Sequence, residues 1–131
     1  MSEKDIKKAQ ESKDSNELAE LAKIDDCEVR QAVAENENTT EDTLKELSKD
    51  GGSDVREAVA GNKKTSSDVL SELAGDDEWT VREAVARNTN TPKEALKTLA
   101  QDKDFDVCNA AEENPNTPKE EAKEEEKEEQ E

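Results

Sequence analysis

The chain has no histidine and no tyrosine, and its aromatic content is one Trp and one Phe. No Gly-rich phosphate loop and no metal-ligand spacing can be assembled from its four Gly and two Cys. Carboxylates abound, but a pair of them does chemistry only where a cleft drives their pKa values apart, and nothing in the residue order suggests such a cleft. Neither an enzyme nor a bound cofactor or metal is expected. Long apolar runs are missing too: no 18-residue stretch and no basic-then-apolar leader occurs, so neither a membrane span nor export is expected and the cytoplasm is the expected location. Positive charge is scarce, with 19 Lys and Arg against 37 Asp and Glu and a net charge of −18. A phosphate backbone needs a basic surface, which sets nucleic acid aside as a partner.

With 43% charged and 29% apolar residues, composition alone leans toward disorder. A period of 26 residues reverses that lean. Val29, Val55, Val81 and Val107 share one column. Ala32, Ala58, Ala84 and Ala110 share a second, and Asn36, Asn62, Asn88 and Asn114 a third. Thr39, Thr65, Thr91 and Thr117 form another, and two Leu columns run through Leu18, Leu44, Leu70, Leu96 and Leu21, Leu47, Leu73, Leu99.

Each unit reads as two short helices. Val81, Ala84 and Val85 stand at i, i+3 and i+4 and give the first helix one apolar face. Thr80 or Asp54 is its expected N-cap, with Trp79 and Phe105 stapled onto Ala84 and Ala110. The Asn column is expected to cap its C-terminus in a left-handed conformation and to link neighbouring backbones, or else to present amides to a bound peptide. Thr39, Thr65, Thr91 and Thr117, each followed by an acid three residues on, are the expected N-caps of the second helix, whose inward stripe is the Leu pair. Burying about four aliphatic side chains at roughly 1.5 to 3 kcal/mol each cannot offset the ordering cost of a whole unit. Stability must come from stacking on neighbours.

The units VREAVARNTNTPKEALKTLAQDKDFD and VREAVAGNKKTSSDVLSELAGDDEWT resemble the leucine-rich repeat variant family, whose recurring phrase is close to VR-x-x-VA-x-N-x-x-TP-x-x-x-L-x-x-LA-x-D. The likeness runs from about Ser15 to Ala122. It implies an all-α, right-handed superhelical solenoid of two helical layers, one of which in the family can be 3₁₀. Some family members carry an iron–sulfur centre on a cysteine cluster ahead of the repeats. A cluster takes about four thiolates, and this chain has two Cys, so no cluster is expected. Cys27 and Cys108 lie three units apart, too far for a disulfide given about 8 to 10 Å per stacked helix. Cys27, in the column of Trp79 and Phe105, is expected to be a small buried hydrophobe, with Cys108 the more exposed thiol.

Residues 1–14 read as an N-terminal cap, frayed or a short helix, residues 15–121 as the repeats, and residues 122–131 as an acidic tail, disordered or partly helical. From Lys119 to Glu131 the chain carries eight Glu against three Lys. The column Arg30, Arg56 and Arg82, with Arg87 nearby, either grips an acidic partner at regular intervals or pairs with carboxylates such as Glu57 or Glu83. Exposed positions that vary between units, such as Glu35, Gly61, Arg87 and Glu113, are where a protein partner would be specified. The expected activity is therefore non-catalytic protein binding by a monomeric acidic repeat module, or else shielding of a basic protein by charge.

Overall fold

The computed structural model describes residues 2–118, all α-helix and connecting turns. The expected end of the repeats at residue 121 and the acidic tail lie outside the described residues. The helices are α1 (Ser2–Glu11), α2 (Ser15–Leu21), α3 (Cys27–Glu35), α4 (Glu41–Leu47), α5 (Ser53–Gly61), α6 (Ser67–Leu73), α7 (Trp79–Arg87), α8 (Lys93–Leu99) and α9 (Phe105–Glu113). Helices α1, α3, α5, α7 and α9 pack one against the next in a row, and α2, α4, α6 and α8 each pack against the helix that follows.

The row is built on small side chains. Val29, Val55, Val81 and Val107 are fully buried, joined by Val33, Val59 and Val85 and by Ala34, Ala60 and Ala86. The second layer contributes Leu44, Leu70 and Leu96, each with no exposed surface. The first layer buries Val81, Val85 and Ala86, while Ala58 and Ala84 are only partly covered. Helix α1 joins the row through Ala9, which is fully buried, with Ile6 packed beside it.

Both layers are α-helical among the described residues, including the one the family likeness allowed to be 3₁₀. The seven-residue helices close i→i−4 bonds, from Leu44 N–H to Thr40 O (3.0 Å) and from Leu70 N–H to Ser66 O (3.0 Å). Tightening to i→i−3 occurs just past the last turn, as from Lys49 N–H to Glu46 O (3.2 Å).

The helix ends depart from the sequence expectations in three ways. First, α7 starts at Trp79 and α5 at Ser53, so their N-cap positions fall to Glu78 and Gly52, neither with a side-chain bond, and Thr80 and Asp54 lie inside the first turn. Asp26 and Asp104, by contrast, do accept N–H groups from the helices they precede. Second, the second-layer caps are Thr40, Ser66 and Pro92, one residue after the Thr column. Thr39, Thr65 and Thr91 are buried instead, and each hydroxyl donates to a carbonyl six residues back, Val33 O, Val59 O or Val85 O, at 2.6 Å. Thr117 makes the same bond to Ala111 O. Third, the Asn column is extended, near φ −75° and ψ 127° at Asn88 and its equivalents, and no described residue has positive φ.

An extended Asn suffices because its side chain does the linking. Asn62 Nδ2 donates to Ala34 O (2.7 Å) and Asn36 O (3.1 Å) of the preceding unit, while its Oδ1 accepts from Lys64 N–H (2.8 Å). Asn88 and Asn114 repeat the pattern onto Ala60 and Asn62, and onto Ala86 and Asn88. Asn36 does the same onto α1 and its exit, at Ala9 O (2.8 Å) and Ser12 O (2.9 Å). Carbonyls at a helix C-terminus have no partner within their own helix, and here the next unit supplies it. Among the described residues, no buried side-chain nitrogen or oxygen lacks a partner.

Candidate interaction surface

Three of the four Arg are consumed inside the repeat. Arg30 grips Asp50 through Nε (2.6 Å) and Nη2 (3.4 Å), Arg56 grips Asp76 (2.8 and 3.1 Å), and Arg82 grips Asp102 (2.8 and 3.3 Å). The pairs span 20 residues, from a first-layer helix to the turn that closes the same unit. The third nitrogen, Nη1, donates to a backbone carbonyl six residues back: Ile24 O, Asp50 O and Asp76 O. Asp50 is therefore held by its carboxylate from Arg30 and by its carbonyl from Arg56, and Asp76 likewise from Arg56 and Arg82. The ladder lacks its next rung because Cys108 stands in the Arg column.

Each carboxylate also accepts the N–H two residues on, Gly52, Glu78 or Asp104, at 2.9 to 3.0 Å, so one side chain shapes the turn and anchors the cation. Burial pushes the Asp50, Asp76 and Asp102 carboxyls up. The Arg bond, the backbone N–H and the positive charge outweigh it and hold all three below the ordinary carboxylate value. The Asp50 and Asp76 bonds correspondingly raise Arg30 and Arg56, against a smaller opposing effect of burial. The partners of these three Arg are Asp residues at the turns, and of the two expected carboxylates only Glu83 is paired with an Arg, Arg87.

The fourth Arg, Arg87, is exposed and reaches Glu83 one turn back at 3.3 Å. Glu35, Arg87 and Glu113 are exposed at the last positions of α3, α7 and α9, with exposed Gly61 as their counterpart in α5. Gln31, Glu35, Asp54, Glu57, Ala58 and Gly61 are among the residues lining an open groove of about 440 Å³ across α3 and α5, which Ala84 of α7 extends. A Cβ at Gly61 would meet nothing within 4 Å, so packing does not dictate glycine there. Burial, together with the charges of Asp54 and Glu83, raises the Glu57 carboxyl. The lining thus mixes the small residues Ala58, Gly61 and Ala84 with the carboxylates Glu35, Asp54 and Glu57.

Both cysteines are free, with the exposures reversed from expectation. Cys27 is exposed, because the first position of a first-layer helix faces solvent. Cys108 is half-buried under the turn, its thiol directed at Ala100 O (3.0 Å); burial, then the Glu112 carboxylate, raises its pKa. Trp79 is 41% exposed and Phe105 79%, so neither is a staple. Their column reads Cys27, Ser53, Trp79, Phe105, and the small and polar members were the signal that this position is not core. Among the described residues no group of His, Cys, Asp and Glu could hold a metal ion, and no helix is long and apolar enough to cross a membrane.

A helix pair that recurs every 26 residues and is sealed to the next pair by side-chain ladders defines an all-helical repeat protein. The leucine rich repeat variant family model matches residues 79–104, the stretch holding α7, α8 and the turn into α9, so that unit is similar to the repeats of that family. No curated protein and no solved structure matches the chain.

Proposed function

We propose that the chain is a non-catalytic protein-interaction module, a short right-handed superhelical solenoid that presents the exposed face of its first-layer helices to another protein. One observation carries the reading: the repeated polar residues are used up internally, while the residues left facing outward differ from unit to unit. Asn36, Asn62, Asn88, the Thr column and the Arg30, Arg56 and Arg82 ladder are bonded within the chain. The exposed column Glu35, Gly61, Arg87 and Glu113 holds an acid in two units, a glycine in one and a cation in one. A surface of that kind is where a repeat scaffold specifies its partner. The module acts as a monomer in the cytoplasm, with neither nucleic acid nor membrane as its target.

A second reading is favoured by charge: at −18 the chain could recognise a basic protein by long-range attraction and serve as its decoy or chaperone. Affinity capture from native lysate separates the two, with the full chain compared against a Glu35→Lys, Glu57→Lys variant at low and high salt. One prey kept at high salt and lost with the variant supports the module. Many basic preys, all released by salt, support the charge-driven binder. Capture of the same preys by both proteins at high salt would sink the assignment to this face.

A further inference from the structure

The two aromatic residues of the chain are both exposed, and they occupy equivalent positions: Trp79 opens α7 and Phe105 opens α9, adjacent helices of the row. The fold does not need them there. Units that begin with Cys27 and Ser53 form the same nine-residue helix and the same stacking. An aromatic is a large apolar surface to leave in water, and here two of them are placed side by side in the repeat without contributing to the core. Carboxylates frame the pair: Asp77 and Glu78 precede Trp79, and Asp104 and Asp106 flank Phe105, with Asp77, Glu78 and Asp106 exposed. Lys103 is the single cation adjacent in sequence.

We propose that this edge, Trp79 and Phe105 within their carboxylate frame, is a docking surface for a partner segment in which Lys or Arg alternates with Leu or Ile. The proposal rests on the reading of the chain as a protein-binding module, and adds where a partner sits and what it carries. The aliphatic side chains cover the rings, and a Lys or Arg reaches the carboxylates or lies over the Trp79 face, where the ring quadrupole attracts a cation. Charge complementarity selects this occupant over two others. A second copy of the chain, itself at −18, would bring carboxylates against carboxylates, and an anionic membrane surface is repelled by the same frame.

Trp79 is the sole Trp, so its emission reads the site directly. The full chain is titrated with two synthetic peptides of equal length and charge, one alternating Lys with Leu and one alternating Lys with Ser, with affinity measured by calorimetry. The Lys–Leu peptide is expected to shift Trp79 emission to the blue and to bind at least about tenfold more tightly. Phe105→Ser, which keeps the reporter and should melt within a degree or two of the parent, and Trp79→Ser, followed by calorimetry, should each lose roughly tenfold in affinity. Equal binding of the two peptides, or full affinity in both variants, overturns the proposal. So does a blue shift that appears with phosphatidylcholine or phosphatidylserine vesicles, or one that grows with protein concentration alone. If neither peptide binds while capture remains sensitive to Glu35 and Glu57, the docking edge is refuted and the module reading stands.

Discussion

Replacing Asn62 by Ala is the sharpest test of how the repeats cohere. The change removes two donated bonds, to Ala34 O at 2.7 Å and Asn36 O at 3.1 Å, and one accepted from Lys64 N–H at 2.8 Å. At about 0.5 to 1.5 kcal/mol per bond, and with Ala34 O left at a buried helix end, the expected cost is about 2 to 4 kcal/mol. Thr65→Val is the internal control. It removes one bond, to Val59 O, but that carbonyl keeps the Asn62 N–H at 3.1 Å, so the cost should be nearer 1 kcal/mol. Urea unfolding followed by far-ultraviolet circular dichroism measures both. Because Asn62 ties one unit to the one before, its loss should also reduce the slope of the transition, as the two sides of the weakened joint begin to unfold separately. Asn62→Ala falling within about 0.5 kcal/mol of the parent, with an unchanged slope, would refute the claim that the Asn side chain couples the units.

Arg56→Ala leaves the mostly buried Asp76 carboxylate without its cation and should cost about 2 to 3 kcal/mol at pH 7, somewhat below a fully buried pair, by the same urea assay. Because Asp50, Asp76 and Asp102 are depressed in the folded chain, their stabilisation is fully present above the unfolded value near 3.9 and is lost as pH falls through the folded values. The difference between parent and Arg56→Ala should therefore shrink on acidification below about pH 4, and a pH-independent difference would contradict the ladder. Glu57 has the opposite sign. Raised above its unfolded value, it favours the folded chain at low pH and loses that contribution as pH rises through its folded value, so Glu57→Gln should raise the melting temperature slightly at pH 7 and not at pH 3. Alkylation under native conditions followed by peptide mass spectrometry should label Cys27 well before Cys108, the half-buried thiol beside Ala100 O and Glu112.

The period, the helix pairs and most of the core were legible from residue columns because every unit solves the same packing problem. Val55 and Leu70 can be recognised as core from their neighbours 26 residues away without any knowledge of the turn between them. The Asn C-caps were legible at their own positions, the second-layer N-caps to within one residue and the first-layer N-caps to within two. A Thr followed three residues later by an acid suits an N-cap, but Thr39 lies where its hydroxyl reaches Val33 O, and the adjacent Thr40 takes the cap. The Asp partner of the Arg column was hidden for another reason. Asp50 is 20 residues from Arg30, and that reach depends on how the second helix folds back, which local spacing does not contain. The exposure of Trp79 was not legible from Cys27, Trp79 and Phe105, the three apolar members of its column, and only Ser53 marks the position as one that packing does not require to be apolar.

The Arg ladder bears on the surface as much as on the core. The chain has four Arg, and all are engaged with carboxylates: three with turn Asp residues and Arg87 with Glu83. Arg presents several donors in a planar fork, and here three donors of each ladder Arg satisfy a carboxylate and a backbone carbonyl at one time. Lys, a point charge on a flexible stem, could not replace it without freeing the carbonyl. Concentrating the guanidinium groups in the turns leaves an outer face whose groove is lined by Glu35, Asp54 and Glu57 and by no cation. Two ends are thus served by one arrangement: units joined by specific short bonds that salt screens weakly, and a negative exterior whose attraction for a basic partner salt screens strongly. Raising ionic strength should therefore separate binding from folding, weakening association with a cationic peptide while leaving the urea midpoint nearly unchanged. A midpoint that fell in step with affinity would mean that the ladder and the face draw on the same exposed charges.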